Sequence, residues 1–260
     1  MTATTGPASR LARWLWKPSV AASLALAASI VVFGWWPEID LWFSGRFWLP
    51  GAGFIGDQLA SARLVYEYTP RVGRVLLIGI VAVWLLGRLR PHRLPRRTRR
   101  TAALLLGAAV FGQGLLIDVA LKDHWGRQRP RDTVVFGGAE SFRPALQPGG
   151  NCRRNCSFVS GHAAAGFSLL GFGMLAPLAV RRRWMLAALA TGGVIGLVRV
   201  AQGGHYLSDI VFSFFAVWLS THLVWAALRG LHRVRAWRRM LASGRQGWGL
   251  VNAARRPDMP

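Results

Sequence analysis

The chain has 260 residues, is 52% hydrophobic, carries 13 tryptophans and has a formal charge of +23. Its apolar runs are too long for an ordinary soluble domain of this size, so membrane insertion is the first expectation. The charge does not point to nucleic acid, because the arginines fall in short clusters between the apolar runs, as they do in loops on the inner side of a membrane.

Residues 1–18 are polar and basic, with Arg10, Arg13 and Lys17. The apolar run 20–36 ends in Trp35-Trp36-Pro37, an aromatic belt that favours an uncleaved first helix over a signal peptide. Residues 37–71 mix acids, arginines and aromatics and read as an external loop lying partly in the interface. The second span, 75–87, is short against the ~20 residues usually needed. A block of arginines from Arg88 to Arg100 follows, broken by two prolines, and marks the inner side. The third span is 102–121. Asp118 lies four residues before Lys122, which places both on one helix face and predicts pairing with Lys122 or a nearby arginine.

Residues 122–159 form a second external loop, which holds both cysteines. On the outer side of a bacterial membrane, Cys152 and Cys156 would be free to pair with each other. Spans four, five and six follow at 160–180, 184–198 and 206–228, with Arg181, Arg182 and Arg183 at the inner turn. Gly192 and Gly196 are spaced for close helix packing. The expected fold is all-α: a polytopic membrane protein with six transmembrane helices and both termini cytoplasmic. Its parts are an N-terminal segment 1–18, a membrane domain 19–230 and a basic tail 231–260.

This topology brings three polar clusters to one outer face. They are Lys122 with Arg129-Pro130, Ser160-Gly161-His162, and Arg199 with His205 and Asp209. Arginine forks, a lysine point charge, a hydroxyl and open glycine backbone suit the oxygens of a phosphoryl group. His205 and Asp209 are four apart on a predicted helix. An aspartate accepting from one ring nitrogen would leave the other free to attack phosphorus, and His162 remains as the general acid. A reading of the same His162, His205 and Asp209 as metal ligands is disfavoured, because the surrounding lysine and arginines would repel a cation, so no metal and no cofactor are expected.

The three clusters resemble, in order and spacing, the signature motifs of the type 2 phosphatidic acid phosphatase family, over residues 102–228. These are integral-membrane lipid phosphatases sharing a fold core with vanadium haloperoxidases. The resemblance implies a metal-independent reaction through a phosphohistidine. It implies His205 as nucleophile, Asp209 as its orienter and His162 as acid, with Lys122, Arg129, Ser160, Gly161 and Arg199 holding the phosphate. Val159 and Val198 stand where the family usually has Pro and Ser. The expected partners are the bilayer and a phospholipid or glycolipid phosphate, at the periplasmic face of a bacterial inner membrane. The loop 132–158, with Arg143, Arg153 and Arg154, is similar to loops of bacterial lipid A phosphatases, which makes lipid A the leading candidate. Phosphatidylglycerophosphate, undecaprenyl pyrophosphate, lipid-to-lipid phosphotransfer and simple lipid binding stay open.

Overall fold

The computed structural model describes residues 18–253, with side chains from Val20 to Leu231, so the expected segment 1–18 and the end of the basic tail lie outside the described residues. The described residues up to Thr221 form one compact unit, which holds the candidate site, and those from His222 onward form a second.

Helix α1 (Pro18–Trp35) stops at Trp36-Pro37, and the chain restarts as α2 (Glu38–Gly45) with a bend of 86°. Proline has no N–H to continue the ladder, which accounts for the break. Two short paired strands, β1 (Trp48–Leu49) and β2 (Gly53–Phe54), lead through α3 (Ile55–Gln58) into α4 (Ala60–Leu89). Helix α4 is 30 residues long, so much of the expected external loop is helical. The sequence carries the reason in Glu67 and Arg71, which pair at 3.5 Å one helical turn apart and solvate the polar start of an otherwise apolar helix.

Pro91 and Pro95 confine the turn between α4 and α5 to residues 90–95, and Arg96 to Arg100 already belong to α5. That helix is regular over Arg96–Ala108 and widens to π geometry over Ala109–Lys122. The widening shifts the backbone hydrogen bonds from four residues apart to five. The outer loop then makes two short turns, Pro130–Asp132 and Val134–Phe136, before returning to the bundle. The segment expected as a continuous fourth span is broken into α6 (Gly161–Phe167) and α7 (Leu170–Gly173). Arg181, Arg182 and Arg183 lie not in a loop but in the first turns of α8 (Leu178–Ala201). The last helix, α9, is Leu207–Ala253.

Among the described residues, four helices are long and apolar enough to cross a membrane: Ala60–Leu89, Arg96–Lys122, Leu178–Ala201 and Leu207–Leu231. The bent pair α1–α2 makes a fifth if it is counted as one span. The core lies between α6, α8 and the start of α9, where Phe158, Val159, Phe167, Val200 and Phe212 are buried together. Gly192 is the contact point expected from its spacing. A Cβ there would stand 2.3 Å from the Phe167 ring, and one on Gly166 only 2.7 Å from the Gly192 Cα.

Candidate active site

The site is built where three loop-to-helix junctions meet. The first follows the end of α5 at Lys122. The return strand of the outer loop is laced to it, with Cys156 N–H donating to the Lys122 carbonyl and Ser157 N–H to the Arg127 carbonyl, each at 2.8 Å. Cys152 and Cys156 are joined as a disulfide in that strand. The lacing aims backbone carbonyls at functional side chains. Arg129 donates to the Asn155 carbonyl at 2.7 Å, and Asn155 takes a left-handed backbone, φ 52°, as it does so.

The second junction is the start of α6. Ser160 is buried, and its hydroxyl oxygen caps the helix by accepting from Ala163 N–H. Gly161 faces three polar groups at once. A Cβ placed there would lie 3.4 Å from Gln113 Nε2, 3.7 Å from Asp118 Oδ1 and 3.7 Å from Lys122 Nζ. Asp118 and Lys122 face the same point, as their spacing predicts, and Asp118 Oδ1 also accepts from Gln113 Nε2 at 3.1 Å. His162 stacks on the Tyr66 ring of α4, centroids 5.1 Å apart, with Nε2 3.1 Å from the Tyr66 carbonyl oxygen. A carbonyl only accepts, so Nε2 carries hydrogen.

The third junction runs from the end of α8 to the start of α9. Arg199 lies over the Tyr66 ring at 4.6 Å and bonds the Gln202 side chain. Its guanidinium presses on Gly204, where a Cβ would be 2.3 Å from Nη2. Arg129 reaches the same residue and donates to the Gly204 carbonyl at 3.3 Å. The two arginines therefore bracket the residue just before His205. His205 itself is 1% exposed. Its Nδ1 is 2.7 Å from the Ser157 carbonyl oxygen, so Nδ1 holds the hydrogen and Nε2 presents a lone pair. Burial, with Arg129 and Arg199 nearby and Asp209 opposing, pushes the imidazole down to about 3, so the ring is neutral at ordinary pH.

Asp209 lies 3.6 Å from His205 Nδ1, beyond hydrogen-bond length, and its strong partners are elsewhere. Arg127 donates to it at 2.5 Å, Ser157 Oγ–H at 2.5 Å and Tyr206 N–H at 2.9 Å. Arg127 is fully buried and also donates to Asp40 of α2 at 2.7 Å and to Ser208 at 2.9 Å. The sequence reading passed over Arg127, Ser157, Asp40 and Tyr66. Only Arg127 left a signal: it is a further arginine inside the first cluster, two residues before Arg129.

A cavity of about 440 Å³ opens from Lys122, His162 and Asp118 and continues between the helices past Leu76, Leu105 and Phe172. Among the described residues, no three His, Cys, Asp or Glu side chains gather closely enough to share a metal ion.

The sequence pattern of the PAP2 superfamily matches residues 101–233, from the start of α5 into α9, and so covers all three junctions. The chain belongs to the PAP2 superfamily. It is similar to proteins named lipid A 4'-phosphatase. One from Francisella tularensis subsp. novicida is 33% identical over 214 residues, covering 79% of this chain and 95% of that protein. One from Rhizobium leguminosarum is 34% identical over 219 residues, covering 78% and 91%. No solved structure matches the chain. Asp40 and Tyr66 lie before the stretch the family pattern matches, so two of the site's contacts come from this chain's own N-terminal helices.

Proposed function

We propose that this PAP2 protein is a membrane phosphatase that removes a phosphate monoester from lipid A at the outer face of the bacterial inner membrane. The observation that carries the reading is the pairing of a neutral, buried His205, its Nε2 lone pair free to attack, with two guanidiniums that bracket the adjacent Gly204. The proposed chemistry uses side chains alone. The Nε2 lone pair attacks phosphorus, the bond from phosphorus to the lipid oxygen breaks, and His162 gives that oxygen its proton. Water then attacks the phosphohistidine, loses a proton to His162, and phosphate leaves with His205 restored. Lys122, Arg129 and Arg199 hold the phosphoryl oxygens through both steps. The backbone at Ser160 and Gly161 closes the remaining side.

Asp209 acts at one remove. It fixes the Ser157 hydroxyl and Tyr206 N–H, and the Ser157 carbonyl then fixes the His205 ring. The substrate's lipid portion lies along the cavity beyond His162, whose volume falls in the range usual for ligand sites, roughly 300–1,000 Å³. Lipid A is favoured by the relatives' names and by their coverage of most of both chains. The topology proposed with this site has six spans, the broken segment α6–α7 being one of them. Both termini are then cytoplasmic and the site faces the periplasm.

The test is phosphate release by the detergent-purified protein in EDTA, from lipid A, phosphatidylglycerophosphate, phosphatidic acid and undecaprenyl pyrophosphate. We expect release from lipid A that persists in EDTA and falls by about a thousandfold or more in His205→Ala. Release that needs added metal, or that survives His205→Ala, would sink the mechanism. Release only when an acceptor lipid is present would make the protein a phosphotransferase.

A further inference from the structure

We infer that Gln113 and Asp118 form a subsite for a hydrogen-bond donor on the leaving alcohol, a hydroxyl or amide N–H such as an acylated amino sugar carries. The inference rests on the lipid phosphatase reading and deepens it. Four observations carry it. Gln113, Asp118 and Lys122 converge on one point beside Gly161, and all line the same cavity as His162. That point adjoins Lys122 and Gly161 of the phosphate cradle and shares its cavity with His162, which protonates the leaving oxygen. The geometry is built, because Gln113 and Asp118 lie on one helical segment and Gln113 donates to Asp118 at 3.1 Å.

The fourth observation is chemical. A carboxylate has about four acceptor positions, and the Gln113 amide oxygen adds two more. Asp118 is exposed to the cavity and sits on a membrane-spanning helix, where an incompletely satisfied carboxylate is costly. At the rim of an anion site, its charge opposes a bare phosphate. A ligand that brings a donor turns that repulsion into a charge-assisted hydrogen bond. The subsite thus selects for esters of hydroxyl- or amide-bearing alcohols. It selects against esters whose leaving group carries acceptors only, and the apolar continuation of the cavity takes the acyl chains.

The test compares kcat/KM of the full-length wild type, Asp118→Asn and Gln113→Ala. The substrates are lipid A and two esters whose leaving groups carry no donor, phosphatidic acid and p-nitrophenyl phosphate. Asparagine keeps the shape but turns a donor toward the donor. We expect about a tenfold or larger fall on lipid A in both variants, with the donor-free esters changed by less than about threefold. Retained turnover of the donor-free esters also shows that the variants are folded. An equal fall on every substrate would mean that Asp118 only positions Lys122, and would overturn the inference. An unchanged rate on lipid A would overturn it too. A wild type that leaves lipid A intact would remove the substrate reading itself, an outcome visible before any variant is compared.

Discussion

At the scale of single residues, the decisive contact is the one between the Ser157 carbonyl and His205 Nδ1. It sets the tautomer, and burial keeps the ring neutral. A histidine whose folded pKa is pushed from 6.5 to about 3 contributes its full stability above 6.5, and that stability drains away as pH falls from 6.5 toward 3. The detergent-solubilised protein should therefore melt at a lower temperature at pH 4.5 than at pH 7.5. In His205→Asn, which cannot titrate, the loss should be smaller by on the order of 2–3 kcal/mol. Melting curves at both pH values check this, and an equal loss in both proteins would count against a buried neutral ring. The i, i+4 spacing of His205 and Asp209 was legible in the sequence, but the direct bond expected from it does not form. The carboxylate oxygen nearest the ring, Oδ2, accepts from Ser157 Oγ–H and Tyr206 N–H, Arg127 holds Oδ1, and the Ser157 carbonyl takes the Nδ1 hydrogen.

At the scale of elements, Arg127 ties the outer loop to α2 through Asp40 and to α9 through Asp209 and Ser208. Three charges without solvent contact sit together, so removing the central one leaves two buried carboxylates uncompensated. Arg127→Met should destabilise the protein by roughly 3–5 kcal/mol. Adding Asp40→Asn to it should cost much less than the two single changes summed, since the carboxylate it removes is already orphaned. A double-mutant cycle on thermal unfolding measures this, and strict additivity would refute the shared network. The elements also show where sequence pattern misleads. Counting apolar residues between arginines gave a short second span, whereas α4 begins fifteen residues earlier, at Ala60. The pattern is blind to polar residues that pair along a helix, as Glu67 and Arg71 do. It is equally blind to the π widening of α5 and to the bond from Gln113 that joins Asp118 beside Lys122.

At the scale of the whole molecule, the six-span proposal is the part to test by topology. The helices long enough to cross number four, or five with the bent pair, and α6–α7 is too broken to count by length. Single cysteines introduced at Arg93 and Gly137, in a background with Cys152 and Cys156 replaced by serine, should separate the faces. In intact spheroplasts, a membrane-impermeant maleimide should label position 137 and spare position 93 until the membrane is permeabilised. Labelling of both, or of 93 alone, would reverse or break the proposed arrangement.

The sequence by itself determined the family of the protein and named the polar clusters from which the proposed site is drawn. Apolar runs set the membrane helices, and three clusters of arginine, lysine, histidine and aspartate carried the family pattern, because charge and hydropathy are properties of residues wherever they lie. Only the tertiary structure decided which partner each group takes. Arg127, Asp40, Ser157 and Tyr66 come from four separate parts of the chain, up to 169 positions from Asp209. No local period links them. Their meeting is set by which buried charge finds the strongest available counter-charge, and by which carbonyl the returning loop leaves within reach of a ring nitrogen.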